Sequence, residues 1–439
     1  MSFEPTASRP VHKFGGASLA DGACIRRVGA LLAERAAERP IAVVSAIEGV
    51  TTLLDRLARA AAQGEVDLNP IRVRHRSVLS QLGLDPEMLN RHFAELSTLL
   101  EAVRRSGALN GEGRDHVLSF GERASARIVA AHLTSRGLRA LPIDAYDLGL
   151  VSDSNHGRAQ VLPNSAERVR SALASIDGIP VITGFVAQDS SGRLTTLGRN
   201  GSDLSASLIG AAIGASEVRF WKEVGGVMTA DPKFVADARV LRRLSYDDAT
   251  ELTFHGAGVL HADAVQPLAS ARIPGRVVCV RDPSDEGTLV CDGARADRPI
   301  GVACRRGLAW IRLAGAPNLR ALVQAALERT GVEALTIDER SGGLELVAPW
   351  SDELARALVL LATHTTIERE LAGVAAIGVV DEARIVEGLN VAGIAVRARW
   401  HSGARASFVL AVAEVDLARA ANCVHALLFE GTFVEGSSR

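Results

Sequence analysis

Two hydrophobic periods alternate along the first two-thirds of the chain. Short apolar runs at residues 11–14 and 41–46 each lead into a turn and then into a stretch with helical spacing, at about 20–39 and from Thr51 onward. A mostly helical stretch spans about 69–136, and further strands are predicted at 139–145, 180–188, 194–197, 217–221 and 276–280. Strands alternating with helices in this way predict an α/β fold with a mainly parallel sheet covered on both faces. Ligands of such sheets sit beyond the carboxyl ends of the strands. The turns that follow Phe14, Ala46 and Leu197 all lie at predicted strand ends.

Residues 282–299, rich in Asp, Gly, Pro and Ala, read as a boundary. Beyond it the pattern changes. Strand 301–313, helix 318–330, strands 334–338 and 344–348, and helix 351–364 form one βαββα series. Strand 375–380, helix 383–389, strands 394–400 and 407–412, and helix 416–429 form a second. This weak repeat of about 60–70 residues predicts paired ferredoxin-like modules. The expected division is therefore a domain over 10–285 and tandem modules over 300–439.

Composition narrows the function classes. A chain of 439 residues with 47% hydrophobic and 4% aromatic residues can bury large cores of Ala, Val, Leu and Gly. The formal net charge of −2 favours neither nucleic acid nor an anionic membrane surface. The five cysteines, Cys24, Cys279, Cys291, Cys304 and Cys423, are odd in number and lack CxxC spacing, so small buried thiols in a reducing compartment are expected. The amino-terminal residues contain Glu4 and no apolar signal core, and no apolar run approaches the roughly 20 residues of a membrane span, so a cytoplasmic location is expected.

Candidate chemistry centres on Thr195-Thr196-Leu197-Gly198-Arg199-Asn200-Gly201-Ser202-Asp203, a polar turn that opens a helix near Leu204. Helix starts attract anions through exposed N–H groups and the helix dipole, and Arg199 adds a planar fork suited to carboxylate or phosphate. Lys13-Phe14-Gly15-Gly16-Ala17-Ser18 joins the first strand to the first helix. Its lysine could reach a phosphate, although a plain strand-to-helix turn has the same appearance. Gly121-Glu122-Arg123 lies in a helical pattern, where such a pair is ordinarily a solvated face. The glycine-bearing segment from Lys222-Glu223 through Met228 to Lys233 follows a strand, and fits a nucleotide loop as well as a simple connection. The histidines are scattered, with His255 and His261 expected to be structural or surface groups.

Taken in order, these segments resemble the aspartate kinases of the amino acid kinase family. The resemblance extends through Ser45-Ala46, Thr229-Ala230-Asp231-Pro232-Lys233, Leu244-Ser245-Tyr246, Leu260-His261 and Gly287-Thr288-Leu289. The carboxyl-terminal repeat is similar to that family's paired ACT domains. The resemblance implies ATP-dependent phosphorylation of the side-chain carboxylate of L-aspartate, with Mg²⁺. Lys13 and Asp203 would be catalytic, and Ser45, Glu122, Arg199 and Ser202 would bind the amino acid. Lys13, Gly15, Gly16, Gly201, Lys222, Glu223, Met228 and Lys233 would bind the nucleotide. It also implies a homodimer through the ACT-like modules and neither nucleic acid nor membrane as partner. Another acidic amino acid as substrate, or a catalytically weak ACT-containing regulatory paralogue, are the alternatives. The chain departs from the family pattern at Ala17 (commonly Thr), at Lys222-Glu223-Val224-Gly225-Gly226 (commonly Thr-Asp-Val-Asp-Gly), at Gly258 (commonly Lys) and at Ala262 (commonly Pro). The loss of lysine at 258 is expected to weaken phosphate binding unless Lys222 or Lys233 substitutes.

Overall fold

Runs of four buried residues at Val11–Phe14 and Ile41–Val44 form the middle of a parallel sheet, where both faces are covered and no polar alternation is needed. The computed structural model describes residues 8–256, 260–315, 318–340, 343–401 and 407–429, so Gly258 lies outside the described residues. The chain divides into two compact units. The first comprises Met1–Val227, Arg242–Tyr246 and Val259–Asp292; the second comprises Met228–Leu241, Asp247–Gly258 and Gly293–Arg439.

The strands up to residue 292 are β1 (Val11–Phe14), β2 (Ile41–Val44), β3 (Ala140–Ile143), β4 (Val151–Ser152), β5 (Ile179–Thr183), β6 (Val186–Asp189), β7 (Leu194–Thr196), β8 (Val218–Lys222), β9 (Arg243–Ser245), β10 (Gly275–Cys279) and β11 (Thr288–Cys291). The helices are α1 (Gly22–Glu34), α2 (Val50–Ala62), α3 (Asn69–Leu82), α4 (Asn90–Ser106), α5 (Gly111–Ser135), α6 (Ser165–Ala174), α7 (Gly201–Ile213), α8 (Tyr246–Phe254) and α9 (Ala262–Ala271). All but α8, which belongs to the second unit from Asp247 on, lie in the first. The main sheet runs β3-β5-β2-β1-β8-β10-β11-β9, parallel throughout except between β10 and β11. In the two central pairs Val11 faces both Ile41 and Val218, and Lys13 faces both Val43 and Phe220.

The run at 180–188, expected to be one strand, is two. The chain turns at Gly184 and Phe185, the latter in the left-handed region at φ 67°, and β6 enters a separate three-stranded sheet with β4 and β7. Close approach of α7 explains the break: a Cβ on Gly184 would lie 2.6 Å from Ser202 Cβ. The Phe185 N–H instead donates to Ser205 Oγ at 2.9 Å.

In the second unit, β12 (Pro299–Ala314), α10 (Leu319–Thr330), β13 (Thr336–Arg340), β14 (Gly343–Pro349), α11 (Asp352–Val359), β15 (His364–Gly378), α12 (Glu382–Val391), β16 (Ala398–His401), β17 (Ser407–Ala413) and α13 (Leu417–Phe429) follow. Their sheet is antiparallel, in the order β13-β14-β12-β15-β17-β16. Two ferredoxin-like modules share it, because β12 and β15 each run through both. Two cores follow: one with Ile311, Val323, Leu346 and Leu358, the other with Val374, Leu389, Leu410 and Val424. The helix expected over 351–364 stops at Val359, and β15 begins eleven residues before the strand expected at 375. The segment from His364 to Glu370 is polar and partly exposed; pairing with β12, not its own pattern, makes it a strand.

No helix among the described residues is long and apolar enough to cross a membrane. All five cysteines are free and only partly buried, rather than the buried thiols expected.

Candidate active site

Parallel strands end together, and here the ends of β1, β2, β5 and β8 deliver their loops to one cleft of about 700 Å³. Its walls include Gly15, Gly16, Ser45, Phe185 and Lys222, together with the amino-terminal residues of α2 and α7. Gly16 is needed for closeness, since a Cβ there would lie 3.0 Å from the Ala46 carbonyl oxygen. Asn200 caps α7 from the left-handed region at φ 57°, without a side-chain cap, so its first-turn N–H groups are not consumed by one. Gly201 abuts Phe185, whose Cδ2 would be 2.8 Å from an added Cβ.

On the floor of the cleft the carboxylate of Asp203, 2% exposed, joins two ammoniums: Lys13 Nζ lies 2.7 Å from Oδ1 and Lys222 Nζ lies 2.8 Å from Oδ2. Burial pushes the Lys13 ammonium below its usual range, with neighbouring Lys222 adding to the effect and Asp203 opposing it. Burial alone would raise the Asp203 carboxyl, but the attraction of Lys13 and Lys222 outweighs it and holds the group below the usual carboxylate range.

Glu122, from the middle of α5, is the other buried carboxylate. Its Oε1 accepts from the Ala46 N–H at 3.0 Å, while Oε2 is buried with no hydrogen-bond partner among the described residues. Burial pushes its pKa up to about 8, against the pull of the Ala46 and Glu122 N–H groups and of Lys13. The Glu122-Arg123 pair is therefore not a solvated face. Arg123 instead holds Glu95 with two hydrogen bonds of 2.6 and 3.0 Å, and so serves helix packing.

Of the residues singled out by sequence, Lys13, Gly15, Gly16, Ser45, Glu122, Arg199, Gly201, Ser202, Asp203, Lys222 and Glu223 all line this cleft. Arg199 is exposed there and has no ion pair among the described residues. Glu223 is engaged by Arg281 Nε at 2.6 Å. Met228 and Lys233 belong to the second unit. There Met228 bridges Val240, and the Lys233 N–H donates to Asp231 Oδ1 at 2.9 Å. The Thr229 O–H and the His425 ring pair at 2.9 Å in the same unit. His255, buried beside Glu251 at 3.3 Å, and His261, which caps α9, take the structural places expected of them.

Sequence reasoning missed Asp115. This fully buried carboxylate accepts from Thr196 Oγ1 at 2.7 Å, Gly157 N at 2.9 Å, Thr196 N at 3.1 Å and His156 Nδ1 at 3.1 Å. It ties α5 to the strand that leads into Gly198-Arg199. Its position seven residues before Glu122, on one helix face, was the only available signal.

The model of the amino acid kinase family matches residues 8–279. Aspartokinase 1, chloroplastic, of Arabidopsis thaliana is 31% identical over 367 residues, covering 78% of this chain and 64% of that protein. The aspartokinase of Chlamydia trachomatis is 34% identical over 287 residues, 64% of each. The chain thus spans just under two thirds of the length of these relatives. Among solved structures, E. coli aspartokinase III in complex with aspartate and ADP superposes with a TM-score of 0.81 at 26% identity, over 96% of this chain and all of that one.

Proposed function

The chain belongs to the amino acid kinase family, and on that premise we propose that it is an aspartate kinase, transferring the γ-phosphoryl group of Mg-ATP to the side-chain carboxylate of L-aspartate. The observation that carries this reading is the convergence in one cleft of three complementary groups: a lysine–aspartate–lysine cluster about a buried carboxylate, and a Glu122 oxygen and an Arg199 guanidinium that have no partner among the described residues. An acidic amino acid presents an ammonium, an α-carboxylate and a second carboxylate, and each finds a counterpart. Glu122 Oε2 takes the ammonium, Arg199 the α-carboxylate, and Ser45 and Ser202 donate to the remaining oxygens.

The chemistry demands little else. A carboxylate oxygen attacks the γ-phosphorus, the bond to the β,γ-bridging oxygen breaks, and ADP leaves with that electron pair. No proton changes hands, so no general base is required. The barrier is repulsion between anions, and positioned cations and N–H donors lower it. Lys13 holds the transferring phosphate oxygens, with the backbone N–H groups near Gly15, Gly16 and Gly201 beside it. Lys222 and Glu223 border the nucleotide. Asp203 keeps the ammoniums in place. No group of three or more His, Cys, Asp or Glu that could hold a metal occurs among the described residues. Mg²⁺ would arrive with the triphosphate and would offset its negative charge during transfer.

We place the protein in the cytoplasm and expect it to work as a homodimer through its ferredoxin-like, ACT-like modules. The test of the activity is ADP release coupled to hydroxamate trapping of the acyl phosphate, run with L-aspartate, L-glutamate and aspartate analogues. Turnover with aspartate above all others is expected. Preference for a longer acid would move the reading to a related amino acid kinase, and no turnover with any would refute it.

A further inference from the structure

The cleft floor holds more positive charge than the carboxylate at its centre neutralises. Lys13 and Phe220 are partners on neighbouring parallel strands, and residues two apart on a strand share a face. Lys222 therefore projects from the same sheet face as Lys13, one step nearer the strand end. Both ammoniums meet one carboxylate, Asp203, at 2.7 and 2.8 Å. A lysine has three N–H donors, so each keeps donors beyond the one that meets Asp203. The Lys222 side chain is the more accessible, 21% exposed against 7% for Lys13. The other carboxylates lining the cleft do not balance the surplus. Glu122 is held toward its neutral form by burial, Glu223 is engaged by Arg281, and Glu48 is exposed.

We propose that Lys222 is a second phosphate-binding catalytic residue, coupled to Lys13 through Asp203 so that the two ammoniums clamp the transferring phosphoryl group. The proposal rests on the phosphoryl-transfer reading above and adds a residue to it. The two ammoniums repel each other across a shared counter-ion. A polyphosphate that enters between them replaces that repulsion with attraction, which grows as charge builds on the phosphate oxygens.

The competing role is a structural one, in which Lys222 merely neutralises a buried aspartate. The two separate by experiment with the full chain. Wild type, Lys222→Met and Lys222→Arg are compared by calorimetric binding of Mg-ATP, by kcat and KM with aspartate, and by rescue with methylamine or ethylamine. Lys222→Met is expected to lower kcat by roughly 100-fold or more, the usual loss of one transition-state donor. Its KM for aspartate should stay near wild type, its Mg-ATP affinity should fall at least several-fold, and the small amines should restore part of the rate. Wild-type kcat and Mg-ATP affinity, with only a lower melting temperature, would overturn the proposal. Should Lys222→Met fail to fold, Lys222→Arg decides: it keeps the charge beside Asp203 but not the compact ammonium. A lowered kcat in the folded Arg variant supports the clamp, and a wild-type kcat refutes it. If wild type binds Mg-ATP but phosphorylates no acidic amino acid, the functional reading fails. The Mg-ATP affinities of wild type and variant then still test the clamp, and equal values overturn it.

Discussion

The two units solve opposite problems with charge. In the first, parallel strands buried on both faces end together, and Lys13, Asp203 and Glu122 are pulled out of water beside one cleft. In the second, the long antiparallel strands keep apolar residues such as Val374, Leu410 and Val412 inside, while ion pairs such as Arg397–Glu368 and Arg419–Asp416 stay at accessible positions. Exposed pairs contribute little, commonly below about 1 kcal/mol. A buried charge that loses its partner costs about 3–5 kcal/mol. Charge in the first unit is thus costly and points to chemistry, whereas that of the exposed pairs in the second is cheap and points to solubility.

Mutations can break this contrast. The largest effect is expected from Asp203→Asn, which leaves the buried Lys13 and the half-buried Lys222 ammoniums facing each other without a counter-charge. Activity should fall by about 1000-fold or more, with stability lowered by several kcal/mol, on the order of the buried-pair cost. Steady-state kinetics and urea unfolding check both. In the second unit, Leu410→Ala should cost about 2–5 kcal/mol of that unit's stability through cavity formation. At temperatures well below melting it should leave KM for both substrates near wild type. A comparable rise in KM would mean the two units are less separable in function than this contrast holds. Arg199→Ala should come next, raising KM for aspartate by about 10–100-fold through loss of one charge-assisted contact, with little change for ATP. Equal effects on both substrates would remove Arg199 from the amino acid site.

Subtler is the pH dependence set by Glu122. Burial raises its folded pKa to about 8 from the 4.5 of an exposed glutamate. Below 4.5 the group is neutral in both the folded and unfolded chain, so burial carries no penalty from charge. As pH rises from there toward 8, the unfolded chain ionises first, and stability falls; above 8 the loss is complete. Asp203 works in the opposite direction at acid pH, so the difference between wild type and Glu122→Gln isolates the effect. Thermal melts from pH 5 to 9 should show the wild type losing stability relative to the Gln variant across that range. An ammonium brought to Glu122 favours its carboxylate. Aspartate binding near neutral pH should therefore release a proton, measurable by calorimetry in buffers of different ionisation enthalpy.

The contrast between the units also explains what could be read from sequence. Parallel-strand runs such as Ile41–Val44 announce themselves because burial on both faces removes polar residues. Glycines at Gly15, Gly16 and Gly201 marked the strand and helix ends where backbone and ligand can approach. Glu122 did not announce its burial, because a carboxylate in a helix has the same local signature whether it faces water or a cleft. Only the packing of α5, buried along most of its length from Val117 to Leu133, decides between them. Asp115 has no motif, and its four bonds come from His156, Gly157 and Thr196, about 40 to 80 positions away in sequence. The amino-terminal half of β15 is hidden for a related reason, since its strand geometry is imposed by β12.

The most direct test is a crystal structure with aspartate and a non-hydrolysable Mg-ATP analogue. The amino acid's α-carboxylate is expected on Arg199, its ammonium on Glu122 Oε2, and the terminal phosphate between Lys13 and Lys222. Density for the phosphate away from both lysines, or for the amino acid outside the cleft of β1, β2, β5 and β8, would contradict it.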